Sequence, residues 1–325
     1  MLERMIETLL AFNPWVEVGV KSLYWRLGFL NDALKKVLVS LRRPASAVEA
    51  ALDPQALGQI MEALRQAGIG PGDLVIVHSS MGNLKKTGAK PKEIIEALRA
   101  LIGPEGTLAM PTFPILDIGR KGTAYISDAP VDAILTYDVQ KTPAWTGVLG
   151  LSLMKMPGAV RSRHPINSLA AVGPLAQPMM DGNIDGDDPL PCGRQSAWWF
   201  CAAHDAKIVA LGTDMAHSLT MIHVAEDSYE KAWPIANWYR PRRFRIVDGD
   251  FAAELSCHER RPRWAINYAE RTLAKDLRRA GVIERSAPSG ISVEVCRAQA
   301  LLDFLNARKA TGYPYFFFGS AKRKK

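Results

Sequence analysis

The chain has 325 residues, of which 48% are hydrophobic and 23% are charged, and this composition excludes a disordered or fibrous protein. The net charge of +8 favours an anionic partner, which could be a nucleic acid, an anionic lipid surface or a phosphate-bearing small molecule. Four cysteines without CxxC or paired-histidine spacing argue against a zinc site or a disulfide framework, and they favour a reducing compartment.

Residues 1–50 are predicted to form a helical extension. Apolar residues recur there at spacings of three and four, and Pro14 divides the stretch into two helices. Glu3 and Glu7 interrupt its first apolar stretch, which argues against a signal peptide, and no segment is apolar enough to cross a membrane as a helix. We therefore predict a cytoplasmic protein whose extension serves packing or homo-oligomerisation. Peripheral contact with a membrane surface is the less favoured alternative.

Residues 51–325 are predicted to form one domain that ends in a basic tail. A helix ends near Gly68, and it is followed by the strand Leu74–His78, a polar loop, a helix from Pro91 to Ile102 and the strand Thr107–Met110. This order predicts an α/β fold, namely a layered α/β/α sandwich with a central sheet that is largely parallel or mixed. In the second half we expect strands at about 169–173, 207–211 and 244–247, and helices at about 144–155, 194–203 and 217–230.

Three connecting segments are candidates for ligand binding. Segments 112–142 and 174–193 are longer than ordinary connections. The third begins with His78, Ser79 and Ser80, where the carboxyl end of a strand opens into a loop, and open α/β sheets bind their ligands at such places. This loop has neither a Walker A sequence nor a GxGxxG sequence, which argues against a nucleoside triphosphate or a dinucleotide.

Four sequence blocks follow one another between about residues 55 and 255. They are Gly72–Ser80 with Gly103–Phe113, then Thr142–Gly147, then Arg161–Gly173, and finally Leu211-Gly212 leading to His223-Val224-Ala225-Glu226. In this order the blocks resemble the aminoglycoside 3-N-acetyltransferase family. The resemblance implies an acetyl-CoA-dependent N-acetyltransferase that acts on an amine of an amino sugar or aminoglycoside-like acceptor, and hence a role in antibiotic resistance.

The implied reaction needs a general base, because the amine must lose a proton as it attacks the thioester. His223 and Glu226 are three residues apart on a predicted helix, so the carboxylate can orient the imidazole. They stand in the His-x-Ala-Glu motif of the family, and His223 is the favoured base. His164, held in a loop before Pro165, is the second candidate for the base and otherwise a contact of substrate or cofactor.

Acetyl-CoA is expected at the loop after the first strand and at neighbouring motif positions. Backbone and hydroxyl donors there would polarise the thioester or hold the pantetheine and pyrophosphate, and basic side chains would meet the phosphates. The predicted cofactor-binding residues are His78, Ser79, Ser80, Lys85, Thr112, Arg161 and Ser168.

The stretch Asp181–Asp188 contains four carboxylates between turn-forming residues. Its spacing does not fit a calcium loop, because the position that would need a glutamate is Cys192. No metal is therefore predicted. A loop that recognises a cationic amine fits better, and the predicted acceptor-binding residues are Asp185, Asp187 and Asp188.

Two other functions are kept as alternatives. The first is a non-catalytic binding or scaffold protein of the same fold, associated with a membrane surface. The pair His223 and Glu226 argues against it, because a scaffold needs no such pair. A nucleic-acid-binding module ranks third, since the basic residues are scattered and no known motif is present. Lys85 and Lys86 stand where the family tends to have paired glycines, so the acceptor is open between an aminoglycoside and another amino sugar.

Overall fold

Ten strands form two sheets within the residues that the structure, a computed structural model, describes. These residues are 10–26, 52–116, 133–187, 189–228, 233, 237–309 and 315. In chain order the strands are β1 (Leu74–Ser79), β2 (Thr107–Pro111), β3 (Leu135–Asp138), β4 (Val160–Arg161), β5 (Leu169–Val172), β6 (Lys207–Leu211), β7 (Tyr239–Asp248), β8 (Phe251–Arg260), β9 (Glu284–Ser286) and β10 (Val293–Arg297).

The larger sheet is mixed and has seven strands in the order β4-β5-β2-β1-β6-β10-β9. At its centre β1 pairs in parallel with both β2 and β6. Towards the edges β5 runs antiparallel to β2, and β10 runs antiparallel to β6. The predicted central sheet, largely parallel or mixed, is confirmed as a parallel centre with antiparallel flanks.

Helices cover both faces of the larger sheet. Within the described residues they are α1 (Pro14–Arg26), α2 (Ala56–Gln66), α3 (Met81–Leu84), α4 (Pro91–Ile102), α5 (Val148–Leu153), α6 (Ala176–Met180), α7 (Ala197–Ala203), α8 (Ile222–Asp227), α9 (Glu270–Arg279) and α10 (Ala298–Lys309), with short 3-10 helices at Lys85–Thr87, Pro262–Ala265 and Pro288–Gly290.

Side chains of β1 alternate between two hydrophobic cores, as a strand buried on both faces requires. Leu74 and Ile76 belong to the core that contains residues of α6, α7, α8, α9 and α10. Val75 and Val77 belong to the core that contains residues of α2, α4 and α5. The predicted layered α/β/α arrangement is therefore confirmed.

A second sheet, with three strands in the order β3-β7-β8, was not predicted. β3 lies inside the segment 112–142 that the sequence assigns to a loop, and the strand expected at 244–247 is only the second half of β7. Arg240 and Arg242 occupy buried positions of β7, where Glu259 binds them over 2.8 and 2.9 Å. Because these inward positions hold arginines, the first half of β7 lacks the apolar alternation that marks a strand.

The helix α1 is fixed to the domain by a buried carboxylate. It begins at Pro14, and Asn13 Oδ1 accepts the Val16 N–H over 3.0 Å. Glu17 is 0% exposed and accepts the N–H groups of Arg271 and Thr272 over 2.9 and 3.0 Å, at the amino end of α9. A carboxylate there binds N–H groups that the helix itself leaves unpaired.

The outward face of α1 is apolar: Trp15, Val20 and Leu23, together with Phe12 just before the helix, are between 48 and 72% exposed. The rest of the predicted extension and the basic tail lie outside the described residues. The division into residues 1–50 and 51–325, homo-oligomerisation through the extension, and membrane contact all stay predictions. In the described ranges, no helix combines the length and the apolar character that crossing a bilayer requires.

Candidate active site

The carboxyl ends of the parallel strands bring the sequence motifs to one edge of the larger sheet. β1 ends at Ser79 and pairs there with Leu211, the last residue of β6. β2 ends at Pro111, opposite Leu169, the first residue of the antiparallel β5. Motif blocks that are distant in sequence thus meet where open α/β sheets bind ligands.

The end of β6 is held tightly against the loop after β1. The Ser80 N–H donates to the Leu211 carbonyl over 2.9 Å, and Asn83 Nδ2 donates to the Gly212 carbonyl over 2.6 Å. Gly212 has a φ of +63°, and a Cβ at this position would lie 3.2 Å from the Ser80 carbonyl oxygen. Glycine is favoured here on both counts. The contact fixes the loop after β1 relative to the segment that leads to α8.

His223 and Glu226 form a hydrogen-bonded pair on one face of α8, as their spacing predicts. Nδ1 of His223 lies 2.9 Å from Oε2 of Glu226, and the two side chains are 16% and 1% exposed. Because a carboxylate only accepts, this bond assigns the hydrogen of the neutral ring to Nδ1. Nε2 then presents its lone pair, and it has no hydrogen-bond partner among the described residues.

Arg260, at the end of β8, approaches this pair from the second sheet. Its Nη1 lies 3.8 Å from Oε1 of Glu226 and 3.4 Å from Nδ1 of His223. Burial, followed by the positive charge of Arg260, lowers the pKa of His223, whereas Glu226 acts to raise it. Since the net direction is downward, the imidazole is neutral at neutral pH and can accept a proton.

Asp227 is a second buried carboxylate, directly after Glu226. Its Oδ2 accepts the Cys192 N–H over 2.9 Å, and its Oδ1 accepts the Tyr239 hydroxyl over 2.8 Å. Burial, with the charge of Glu226 as the next cause, raises the pKa of Asp227 from 3.8 to about 7. Its hydrogen bonds therefore connect α8 to the Cys192 segment and to β7.

His164 has a different environment from His223. It is buried, with Nδ1 3.2 Å from the Ile166 nitrogen and Nε2 3.2 Å from the Pro189 carbonyl oxygen. Burial lowers the pKa of this imidazole, and backbone groups face both ring nitrogens. The geometry argues against His164 as the base or as a direct ligand contact, because neither nitrogen is open. His164 instead fixes the backbone at Pro189.

Three of the predicted cofactor-binding residues bind one another inside the protein. Arg161 is 7% exposed and donates to the carbonyls of Thr112, Val139 and Thr142 over 2.6, 3.0 and 2.7 Å. The Ser168 hydroxyl donates to the Thr112 carbonyl over 2.6 Å. These internal hydrogen bonds argue against a phosphate contact for Arg161 and against CoA contacts for Thr112 and Ser168, because their polar groups already serve as a brace, and the three assignments stay predictions.

The other four predicted cofactor-binding residues keep polar groups open. No hydrogen bond or ion pair to a described residue engages the hydroxyls of Ser79 and Ser80 or the amine of the exposed Lys85. His78 stacks on Trp198 with 6.2 Å between ring centroids, and no described residue forms a hydrogen bond with its buried Nε2. Burial lowers the pKa of His78 to about 4, so its ring is neutral.

We define the acidic loop as residues 181–192, and buried side chains hold its backbone by hydrogen bonds. Asp185 and Asp187 are exposed, whereas Asp188 lies outside the described residues. Asn183 is 2% exposed, accepts the Ser162 hydroxyl over 2.9 Å and donates to the carbonyls of Met179 and Gln195. Within the described ranges, no three His, Cys, Asp or Glu side chains are placed to hold a metal ion.

Three residues of this region were missed in the sequence: Arg260, Asp227 and Tyr239. Asp227 directly follows Glu226 in a helix whose other residues, apart from His223, are apolar, and a second carboxylate in such a helix is an unusual feature that the sequence shows. Arg260 sits in a basic cluster, and no local pattern distinguishes it from its neighbours. Its place beside Glu226 depends on how β8 packs against α8.

Known proteins match this chain in sequence. The sequence model of the aminoglycoside 3-N-acetyltransferase family matches residues 76–309. Aminoglycoside N(3)-acetyltransferase VIII of Streptomyces fradiae is 31% identical over 217 residues, which are 62% of this chain and 74% of that protein. Aminoglycoside N(3)-acetyltransferase IX of Micromonospora chalcea is 30% identical over 220 residues, which are 62% of this chain and 75% of that protein.

Solved structures share the fold. Aminoglycoside acetyltransferase AAC(3)-Xa superposes with a TM-score of 0.64 at 22% identity, covering 79% of this chain and 93% of that chain. AAC-IIIb in its binary complex with CoASH gives a TM-score of 0.62 at 20% identity, covering 81% of this chain and 98% of that chain. The match of the family model extends from β1 through α10. The chain therefore belongs to the aminoglycoside 3-N-acetyltransferase family and is an acetyltransferase enzyme, as its sequence blocks predict.

Proposed function

We propose that this enzyme transfers an acetyl group from acetyl-CoA to an amine of an aminoglycoside or a related amino sugar, with His223 as the general base. The observation that carries the proposal is the 2.9 Å hydrogen bond between His223 Nδ1 and Glu226 Oε2. It leaves Nε2 as the basic atom of a ring that is 16% exposed. The names of the relatives and the CoASH complex of AAC-IIIb support the choice of acceptor and donor.

The chemistry assigned to His223 is a proton transfer during acyl transfer. The amine nitrogen forms a bond to the thioester carbonyl carbon, the bond from that carbon to sulfur breaks, and the CoA thiolate leaves. Nε2 takes the proton that the amine loses and then gives it to the thiolate. Glu226 stabilises the imidazolium in between, because it already accepts the Nδ1–H. The downward shift of the His223 pKa keeps the base ready at neutral pH.

We assign the thioester side of the site to the loop after β1. The hydroxyls of Ser79 and Ser80 can donate to the thioester oxygen or to the pantetheine. Lys85 is exposed and can meet a CoA phosphate. The neutral ring of His78 offers one further hydrogen bond through its unpartnered Nε2. The contact at Gly212 would keep this loop at a fixed distance from the segment before α8.

We assign the acceptor side to the acidic loop. Asp185 and Asp187 are exposed, and a cationic amino sugar needs carboxylates to bind it. Neither carboxylate forms an ion pair with a described residue, so each is available to an ammonium group. The anchors at Asn183 and His164 hold the backbone on either side of them, which limits the entropy lost on binding.

The alternative of a non-catalytic scaffold predicts a different outcome in one assay. The purified full chain is mixed with acetyl-CoA and a panel of aminoglycosides, amino sugars and sugar nucleotides, and free thiol is measured. We expect thiol release with at least one amine acceptor and an acetylated product by mass spectrometry. A chain that binds CoA in calorimetry but releases no thiol with any amine would support the scaffold instead.

A further inference from the structure

The acidic loop approaches the end of α8 at Cys192, where two side chains bind both backbone groups of that residue. Asp227 Oδ2 accepts the Cys192 N–H over 2.9 Å, and the Ser228 hydroxyl donates to the Cys192 carbonyl over 3.1 Å. Two consecutive side chains, at and just after the end of α8, thus fix the donor and the acceptor of one loop residue. His223 lies on the same helix, only four residues before Asp227.

Two other anchors hold the loop on the side away from α8. Asn183 accepts the Ser162 hydroxyl over 2.9 Å, and His164 Nε2 lies 3.2 Å from the Pro189 carbonyl oxygen. Both Ser162 and His164 belong to the segment between β4 and β5. Asp185 and Asp187 lie between these anchors. Among the described residues, the loop is hydrogen-bonded to the end of the helix that carries the base through Cys192 alone, and we call this pair of bonds from Asp227 and Ser228 the clamp.

The burial of the Asp227 carboxylate indicates that its hydrogen bond to Cys192 serves function rather than stability. Asp227 is 7% exposed and neighbours Glu226, which is 1% exposed. Two adjacent buried carboxylates cost free energy that an apolar residue at position 227 would avoid. Positions that break a local rule in this way are typical of functional sites. The second bond of Asp227, from the Tyr239 hydroxyl over 2.8 Å, fixes the orientation of the carboxylate that binds the loop.

We infer that Asp227 and Ser228 are positioning residues, which hold the acidic loop at the distance from His223 that a bound amine acceptor requires. The inference rests on the proposed function, in which the loop binds the acceptor. The clamp acts on the acceptor's binding rather than on that of acetyl-CoA, because it contacts the loop and none of the open groups after β1. The helix α8 therefore carries the base and also, through Asp227 at its end, fixes the loop that binds the acceptor.

The test is a kinetic comparison of four variants in the full chain. Asp227→Ala removes the acceptor of the Cys192 N–H, and we expect the KM of the amine acceptor to rise about ten-fold, with the KM of acetyl-CoA changed less than about two-fold. Asp227→Asn should restore most of the affinity, because its amide oxygen can accept from Cys192 and its amide N–H can donate to Tyr239. Ser228→Ala should raise the acceptor KM about three-fold.

Asp276→Ala is the matched control, since Asp276 accepts the Tyr315 hydroxyl over 2.8 Å on α9 and touches no part of the loop. It should lower the thermal midpoint without changing the acceptor KM. If Asp227→Ala does not fold, Ser228→Ala decides the matter. Equal rises in both KM values, or a loss of kcat alone, would show a merely structural role and overturn the inference.

Asp187→Asn separates this inference from the proposed function. If Asp187→Asn raises the acceptor KM and neither Asp227→Ala nor Ser228→Ala does, Asp227 and Ser228 are not positioning residues, but the acidic loop still binds the acceptor. If Asp187→Asn and Asp185→Asn leave the acceptor KM unchanged, the loop does not bind the acceptor. The positioning role of Asp227 and Ser228 is then rejected together with that assignment.

Discussion

Arg260 and Glu226 form an ion pair between the second sheet and α8, with 3.8 Å between Nη1 and Oε1. The carboxylate is 1% exposed and binds His223 through its other oxygen. A buried carboxylate is stable only when it is paired and hydrogen-bonded, and Arg260 supplies the charge. The same guanidinium lies 3.4 Å from His223 Nδ1, so it also opposes protonation of the base.

The first prediction concerns opposite shifts in the pH profile of kcat/KM. Arg260 lowers and Glu226 raises the pKa of His223. The rising limb should therefore move to higher pH in Arg260→Gln and to lower pH in Glu226→Gln. Arg243→Gln is the matched control, because Arg243 is an exposed arginine of the same sheet that pairs with Glu254. Shifts in the same direction for both variants would contradict the assigned electrostatics.

The second prediction concerns stability and pH at Asp227. Its pKa is raised from 3.8 to about 7, so between these values the folded state binds more protons than the unfolded state. The contribution of Asp227 to stability therefore falls as pH rises through this window and is constant above it. The asparagine of Asp227→Asn does not titrate, so its stability does not fall in this way. The free energy of unfolding of the variant relative to wild type should therefore rise by on the order of a few kcal/mol between pH 4 and pH 8.

Urea unfolding of both proteins at several pH values measures this gain. Glu226, Arg260 and Tyr239, which face or neighbour Asp227, are present in both proteins, so the difference between the two proteins reports on Asp227. A stability difference that does not change with pH would contradict the prediction.

The third prediction concerns the acceptor. Asp187→Asn and Asp185→Asn should raise the acceptor KM about ten- to a hundred-fold, because each loses a charge-assisted hydrogen bond of about 1.5 to 3 kcal/mol. The KM of acetyl-CoA should stay the same. Asp250→Asn is the control, since Asp250 is exposed in the turn between β7 and β8. If acetyl-CoA is the substrate whose KM rises, the loop belongs to the other half of the site.

The central features of the fold could be predicted because local patterns encode them. The β-loop-α-β order gave the parallel centre of the sheet, and three-residue spacing placed His223 beside Glu226. The second sheet escaped prediction because Arg240 and Arg242 occupy inward positions that only their pairing with Glu259 makes tolerable. No periodicity in the sequence shows such a pairing.

The assignment of Arg161 to CoA shows the same limit at the level of one residue. A basic side chain in a block that resembles the family suggests a phosphate contact, but the partners of Arg161 in the structure include the carbonyls of Val139 and Thr142, which the sequence does not place near it. Arg260 is the converse case, because tertiary packing alone brings it to Glu226. Partners distant in sequence decide the role of both arginines.

The fourth prediction concerns the hydrogen bonds that Arg161 donates to the carbonyls of Thr112, Val139 and Thr142. Arg161→Met should lower the free energy of unfolding by about 3 kcal/mol, because three buried carbonyls lose a charged donor. The KM of acetyl-CoA should not change. Arg163→Met is the matched control two residues away, and its half-exposed pair with Asp248 predicts a loss of less than about 1 kcal/mol. A raised KM for acetyl-CoA with an unchanged free energy of unfolding would instead show that Arg161 contacts CoA.

The fifth prediction concerns the identity of the base. His223→Ala should lower kcat by about 10² to 10⁴ while substrate binding is nearly unchanged, which is the usual contribution of a positioned general base. His164→Ala should weaken acceptor binding and stability, because it frees the backbone at Pro189. The two histidines therefore differ in which kinetic constant they affect.

The most direct measurement is the pH dependence of kcat/KM for wild type, His223→Ala and His164→Ala under saturating acetyl-CoA. We expect a rising limb in wild type and in His164→Ala, and its loss in His223→Ala, because of these two histidines it is His223 that has an open ring nitrogen and a carboxylate partner. A near-normal kcat in His223→Ala, together with loss of the limb in His164→Ala, would show that His164 is the base and contradict the assignment of His223.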